Sequence, residues 1–209
     1  MRSTSALGAS LFVFFAACGG SGSPSAPATA TSTLAIVVPS NTMVSGTRMQ
    51  ASATLDGVPT TAVTWKSSEP EMVSVGADGM LLAAFNGVAV VTATYGAMKA
   101  TTLVKVTPGA PALIRIYSGD QQSANAGENA RDPLCTIIMD AAGNLISGLV
   151  VTYTVATGGG TIAAPTAPAT DAQGIAISGL WQLGPTPGKQ TVTASYGNLT
   201  SVTFTATAK

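Results

Sequence analysis

The feature that most constrains this chain is a run of strictly alternating apolar and hydroxyl side chains that occurs twice. Val91-Thr-Ala-Thr-Tyr95-Gly96 returns as Val192-Thr-Ala-Ser-Tyr196-Gly197, 101 residues further on (91 to 192), and each copy leads into another alternating run. Successive side chains of a strand point to opposite faces, so a period of two with Val, Ala and Tyr against Thr and Ser describes an antiparallel sheet with one face packed and one wet. Two copies of one kind of unit follow. An earlier pair of landmarks, Val63-Thr-Trp65 and Val151-Thr-Tyr153, is offset by 88 residues (63 to 151), so the second unit carries its extra length between the two landmarks.

Turn signals punctuate the runs at hairpin intervals: Asp56-Gly57, Asp78-Gly79, Asn86-Gly87, Gly143-Asn144, Gly158 to Gly160, Asp171 to Gly174 and Gly197-Asn198. Thr, Val, Ala, Ser and Gly dominate, while the long charged side chains that clothe helix surfaces are few, so almost no helix is expected. Six to eight short strands in each unit predict a β-sandwich, and the fold class is all-β with two sandwiches in tandem. Thr107-Pro108-Gly109-Ala110-Pro111 reads as the boundary, a short linker stiffened by its two prolines and expected to restrict the angle between the units.

The first residues read as an address. Arg2 precedes an apolar run from Ala6 to Ala17 that is too short to span a bilayer, and residues 1–17 are expected to be a signal peptide. Phe15-Ala16-Ala17-Cys18 resembles the bacterial lipobox, with Phe15 where Leu is usual; the resemblance implies that Cys18 is acylated and becomes the first mature residue. An ordinary secretory signal with a chance cysteine is the competing reading. Residues 18–32 hold Gly, Ser, Ala, Pro and Thr with no charge, too little to build a core, and are expected to form a flexible tether. Each buried acyl methylene contributes about 0.8 kcal/mol, so several chains on one cysteine would anchor the protein to a membrane without a spanning segment. By resemblance to lipoproteins of two-membrane bacteria, Gly19 after the cysteine implies sorting to the outer membrane.

The remaining motifs carry a second resemblance. Residues 33–107 resemble a group 2 bacterial immunoglobulin-like domain through Gly46-Thr47, Val63-Thr-Trp65-Lys-Ser-Ser-Glu-Pro70, Val73-Ser-Val75, Asp78-Gly79 and Gly87 leading into Val91-Thr-Ala-Thr. After the linker 108–111, residues 112–209 are similar to the group 1 domains of invasin- and intimin-type adhesins: Gly119-Asp-Gln121, Asp140-Ala-Ala-Gly-Asn144, Gly158-Gly159-Gly160, Thr170-Asp-Ala-Gln-Gly174 and Trp181-Gln-Leu-Gly184. These are structural motifs, and they imply an extracellular spacer or adhesion module rather than a reaction. Adhesins of that type sit on a membrane β-barrel; here the lipid would replace it.

Charge and chemistry narrow the functional classes. Nine Lys and Arg balance nine Asp and Glu, 9% of the chain is charged, and the basic residues are scattered, which argues against nucleic acid as a partner. Histidine is absent, removing the commonest general base and metal ligand. Glu69 and Glu71 flank Pro70 in a loop without the desolvation that a glycosidase pair needs, and no catalytic residue is assigned. Asp120, Glu128, Asp140 and Asp171 raise the question of calcium, but none has a dense Asp-x-Asp-x-Asp spacing and turn-forming aspartates are the default; no metal and no cofactor is assigned.

Cys135 lies in the run Leu134 to Met139, where both faces are apolar, and reads as a small buried hydrophobe. Trp65 takes the inward position where immunoglobulin folds bury a tryptophan. Trp181 follows Gly179-Leu180, where either face could be the wet one, and is the candidate sugar-stacking residue; packing in the core or between the units is the competing reading. The segment Gly158 to Ala169 is the expected contact tip. The expected function is a non-enzymatic, lipid-anchored envelope protein, its partners the membrane and an undetermined protein or glycan, with a carbohydrate- or cell-wall-binding module as the alternative.

Overall fold

The computed structural model describes residues 31–209; Cys18 and the expected signal segment lie outside the described residues. Ten strands build the first sandwich: β1 (Leu34–Val37), β2 (Thr42–Val44), β3 (Arg48–Gln50), β4 (Ser52–Leu55), β5 (Val58–Thr60), β6 (Thr64–Ser67), β7 (Val73–Val75), β8 (Met80–Ala83), β9 (Gly87–Tyr95) and β10 (Met98–Thr107). Nine build the second: β11 (Pro111–Ser118), β12 (Gln122–Ala124), β13 (Cys135–Asp140), β14 (Thr152–Thr157), β15 (Thr161–Ile162), β16 (Ile175–Ile177), β17 (Trp181–Gln182), β18 (Gly188–Ser195) and β19 (Val202–Ala208). No helix is found among the described residues. The strands outnumber the expected six to eight because several are broken into short pieces that change sheet.

The repeated motif occupies equivalent places. In the first sandwich a four-stranded sheet runs β2-β10-β9-β6, and in the second β12-β19-β18-β14. In each, the first strand pairs parallel with the last long strand, Lys105 opposite Thr42 in one and Gln122 opposite Ala206 in the other. The motif strands β9 and β18 are central, and their alternation is that of burial: Ala89, Val91 and Ala93 are buried in β9, as are Val192 and Ala194 in β18. The hydroxyl residues between them lie on the opposite face, where threonine's branched side chain suits a pleated surface.

The opposite layer of the first sandwich is divided. The chain leaves β3 and enters β4 through the single residue Ala51, so β3-β8-β7 and β1-β4-β5 form separate sheets. One core cluster joins Val73, Leu81 and Ala83 to Val91 and Val104, a second joins Leu34 and Ala53 to Ala93, and Trp65 packs against both.

The second sandwich has one core, including Leu134, Ile138, Tyr153, Trp181, Val192 and Phe204. Within it, Tyr153 Oη accepts from the Thr136 N–H (3.1 Å), bonds Thr136 Oγ1 (2.9 Å) and donates to the Ala176 carbonyl (2.8 Å), so one hydroxyl ties β14 to β13 and β16 of the facing sheet. Burial, only partly offset by the bonds from Thr136, pushes the phenol up to about 12 from 10.0. The fold therefore holds the neutral phenol, and its stabilisation is present below pH 10 and lost as pH rises through about 12. Tyr153→Phe leaves the Thr136 N–H without that acceptor and is expected to cost about 1–3 kcal/mol in urea denaturation, with the variant losing less than the parent between these pH values.

Gly184 and Gly158 let two loops touch: a Cβ on Gly184 would overlap the Gly158 carbonyl, and one on Gly158 would overlap the Gln190 side chain. Gln190, 1% exposed, accepts from Gly184 N–H (2.7 Å) and donates to the carbonyls of Gly184 (3.2 Å) and Thr186 (3.0 Å). The glycine run at the expected contact tip thus serves close packing of backbone on backbone.

Candidate functional site

Of the two tryptophans, Trp181 takes the core position that competed with the stacking role, and Trp65 is less enclosed than expected. Trp181 is 0% exposed and sits in the core of the second sandwich, where β17 pairs Trp181 with Ile162 and the Trp181 carbonyl accepts from Ala130 N–H (2.7 Å). The stacking role considered for it is corrected: no face of the indole is open to a sugar ring, because β17 is drawn inward between β15 and the segment before Leu134. Its Nε1–H has no acceptor among the described protein atoms.

Trp65, expected in the core, is only half-buried. It pairs with Ala93 in the four-stranded sheet and lies beneath the place where the facing layer divides at Ala51. The division leaves a groove of about 350 Å³ lined by Gln50, Ala51, Ser52, Ala53, Thr60, Thr61, Trp65, Ala77 and Asp78. A Cβ on Gly79 would stand 3.2 Å from Trp65 Cε2, so the turn from Gly76 to Met80 forms one wall against the indole. Asp78 shapes that turn by accepting from Met80 N–H (3.0 Å), and Gln50 Nε2 ties it to β3 through the carbonyls of Asp78 (2.8 Å) and Ala51 (2.7 Å).

The second constellation lies at the junction of the sandwiches. Asn144 Oδ1 accepts from Asn86 N–H (2.8 Å), and Asn144 Nδ2 donates to Ser45 Oγ (2.9 Å), the Ala84 carbonyl (3.3 Å) and Asp140 Oδ2 (2.8 Å). Asp140 Oδ2 also accepts from Gly109 N–H of the linker (2.8 Å), and Oδ1 from Ala142 N–H (2.9 Å) and Asn144 N–H (2.8 Å). Burial acts to raise the Asp140 pKa from the usual 3.8; the bonds from the Asn144 side chain and from the N–H groups of Gly109, Asn144 and Ala142 outweigh it, and the net shift is downward. Linker restraint therefore comes from side chains on the far side of the joint, in addition to its prolines.

The other carboxylates serve their own surroundings. Asp171 Oδ1 accepts from Gln173 N–H (2.9 Å) and Ile175 N–H (3.0 Å), and Asp120 Oδ1 from Thr205 N–H (2.7 Å). Glu69, Glu71 and Glu128 are exposed. Among the described residues no three His, Cys, Asp or Glu converge in a way that could hold a metal ion. Cys135 is 7% exposed, with Sγ directed at the Pro133 carbonyl (3.8 Å).

A site with a half-buried tryptophan over polar groups was not legible at Trp65, since its alternation signals burial; the only hint was the Asp78-Gly79 turn. The junction motif Asp140 to Asn144 was visible as a motif but not as a joint.

No family model matches the chain, and no curated protein matches it. Among solved structures, the Escherichia coli adhesin FdeC superposes with a TM-score of 0.54 at 18% identity, over 85% of this chain and 62% of that one. This chain thus spans less than two thirds of the FdeC structure. The D00-D0 domain of intimin superposes with a TM-score of 0.50 at 11% identity, over 85% of this chain and 100% of that one. At such identities the likeness is one of fold alone: the chain is a tandem of immunoglobulin-like β-sandwiches.

Proposed function

We propose that this chain is a non-enzymatic, lipid-anchored cell-envelope protein, with residues 33–107, of group 2 type, and 112–209, of group 1 type, acting as an adhesion or spacer module on a tether that begins at an acylated Cys18. The observation that carries this reading is the hydrogen-bonded junction around Asn144 and Asp140. A side-chain network that crosses a linker resists bending, and resistance to bending is what a module needs if it is to hold a contact surface away from a membrane. The β11-β13-β16 sheet supports the reading: its outer side carries Leu113 and Ile177 exposed, Ile137 and Met139 half-buried beside them, the exposed Arg115 opposite Ile137, and Tyr117 60% exposed at its end. A largely apolar outer side with one arginine differs from the threonine face of the four-stranded sheet and suits a protein partner. Gly19 supports placement at the outer membrane.

The test is metabolic labelling with a palmitate analogue in a two-membrane bacterium, followed by attachment of the labelled cells to surfaces or to other cells. Label and outer-membrane recovery lost in Cys18→Ser, with attachment lost alongside them, is the expected outcome. Unlabelled wild type recovered in the soluble periplasm would overturn the anchor, and attachment equal to that of cells without the chain would overturn the adhesion role.

A further inference from the structure

We propose that the Trp65 groove is a binding site for a neutral sugar, one pyranose ring stacked on the exposed part of the indole. This goes beyond the adhesion reading and does not depend on the anchor. The groove's volume of about 350 Å³ falls at the lower end of the range for small-molecule sites, enough for a ring and its hydroxyls. Ala51, Ala53 and Ala77 are small, so Trp65 is the one large apolar side chain lining the groove; the negative face of an aromatic ring favours the polarised C–H groups of a pyranose.

Around the indole stand hydrogen-bonding groups that the fold leaves available. Asp78 Oδ1 and Gln50 Nε2 hold the turn. Among the described residues nothing bonds Asp78 Oδ2, Gln50 Oε1 or the hydroxyls of Ser52 and Thr61. A carboxylate oxygen beside an amide oxygen offers acceptors to neighbouring ring hydroxyls, and the two side-chain hydroxyls can donate. No Lys or Arg lines the groove, which disfavours phosphorylated or acidic sugars. The groove is rigid on its own account, since Gln50 and Asp78 are fixed by bonds to backbone, so little ordering opposes binding.

The two tryptophans make the test direct, because the purified full chain has two indole N–H signals in a ¹H–¹⁵N spectrum, assigned by Trp65→Phe. Methyl glycosides of glucose, galactose, mannose and N-acetylglucosamine are titrated to about 50 mM, well above the millimolar Kd of a weak site. The expected result is a saturating shift of the Trp65 signal with at least one glycoside, the Trp181 signal staying in place. Asp78→Asn, which keeps an oxygen for Met80 N–H, is expected to weaken binding about tenfold, the loss of one charge-assisted hydrogen bond. Thr61→Ala, at the exposed rim, is a second variant that does not touch the core. No shift with any glycoside, or an affinity unchanged in both variants, overturns the proposal. A saturating shift with tetramethylammonium chloride and none with the glycosides would also overturn it, showing a cation site made by the indole and Asp78.

Discussion

Trp181→Ala is expected to destabilise the second sandwich severely. The side chain is wholly enclosed with Leu134, Leu183 and Phe204 in the same core, so its removal combines lost burial with a cavity that rigid sheets cannot close. The expected cost is about 3–5 kcal/mol, and for a sandwich of this size that is a fall in Tm of about 12 °C or more. Urea denaturation followed at the Trp65 fluorescence and by circular dichroism separates the two sandwiches; a variant as stable as the parent would contradict the enclosed position. Trp181→Phe is expected to lose much less, because it keeps most of the ring and removes an Nε1–H that has no protein acceptor. A loss of ligand binding in Trp181→Ala would consequently report lost stability rather than a lost contact, and Trp65 is the position at which a binding test has meaning.

The junction carries the second large effect. Asn144→Ala removes the acceptor of Asn86 N–H and the donor to Ser45 Oγ and Asp140 Oδ2 in one change. Groups left unpaired in a partly buried joint cost about 1–3 kcal/mol each, and the expected loss is about 2–4 kcal/mol. Small-angle scattering should show a broader distribution of distances between the sandwiches in the variant, while each sandwich keeps its own circular dichroism. An unchanged scattering profile would mean that the linker alone sets the angle. Asp140 adds a pH dependence of known sign. Its folded pKa lies below 3.8, so its stabilisation of the joint is complete above the ordinary carboxylate range and is lost as pH falls through the lower folded value. Asp140→Asn should remove that acid sensitivity and should loosen the joint at neutral pH, since an amide offers one acceptor oxygen where the carboxylate offers two.

The parts of this fold that could be read in sequence are those in which a local rule and the tertiary structure demand the same residue. β9, β18 and β19 alternate because each lies in a sheet with a single core face, and a shift of one residue would put Val91 or Phe204 into water. Gly158 was readable as a turn signal and Gly184 as the end of a motif, but their contact with each other joins residues 26 positions apart (158 to 184) and has no local signature. The same holds for Gln190, a polar residue on the buried face of β18 whose partners lie in the preceding loop.

The all-β class, the double use of one sheet plan and the lack of imidazole and clustered charge are written in the linear order of residues. That order also supplied the whole case for Cys18, because a lipidation signal is a linear pattern. Which tryptophan is partly open, and what joins the sandwiches, follow from the folded arrangement. Exposure depends on what crosses above a side chain: Trp65 is left partly open where the chain changes sheet at Ala51, and Trp181 is covered by segments tens of residues away. Asn144 acts as a joint because the fold brings Ser45 and Asn86 to it, an arrangement that pattern along the chain does not encode.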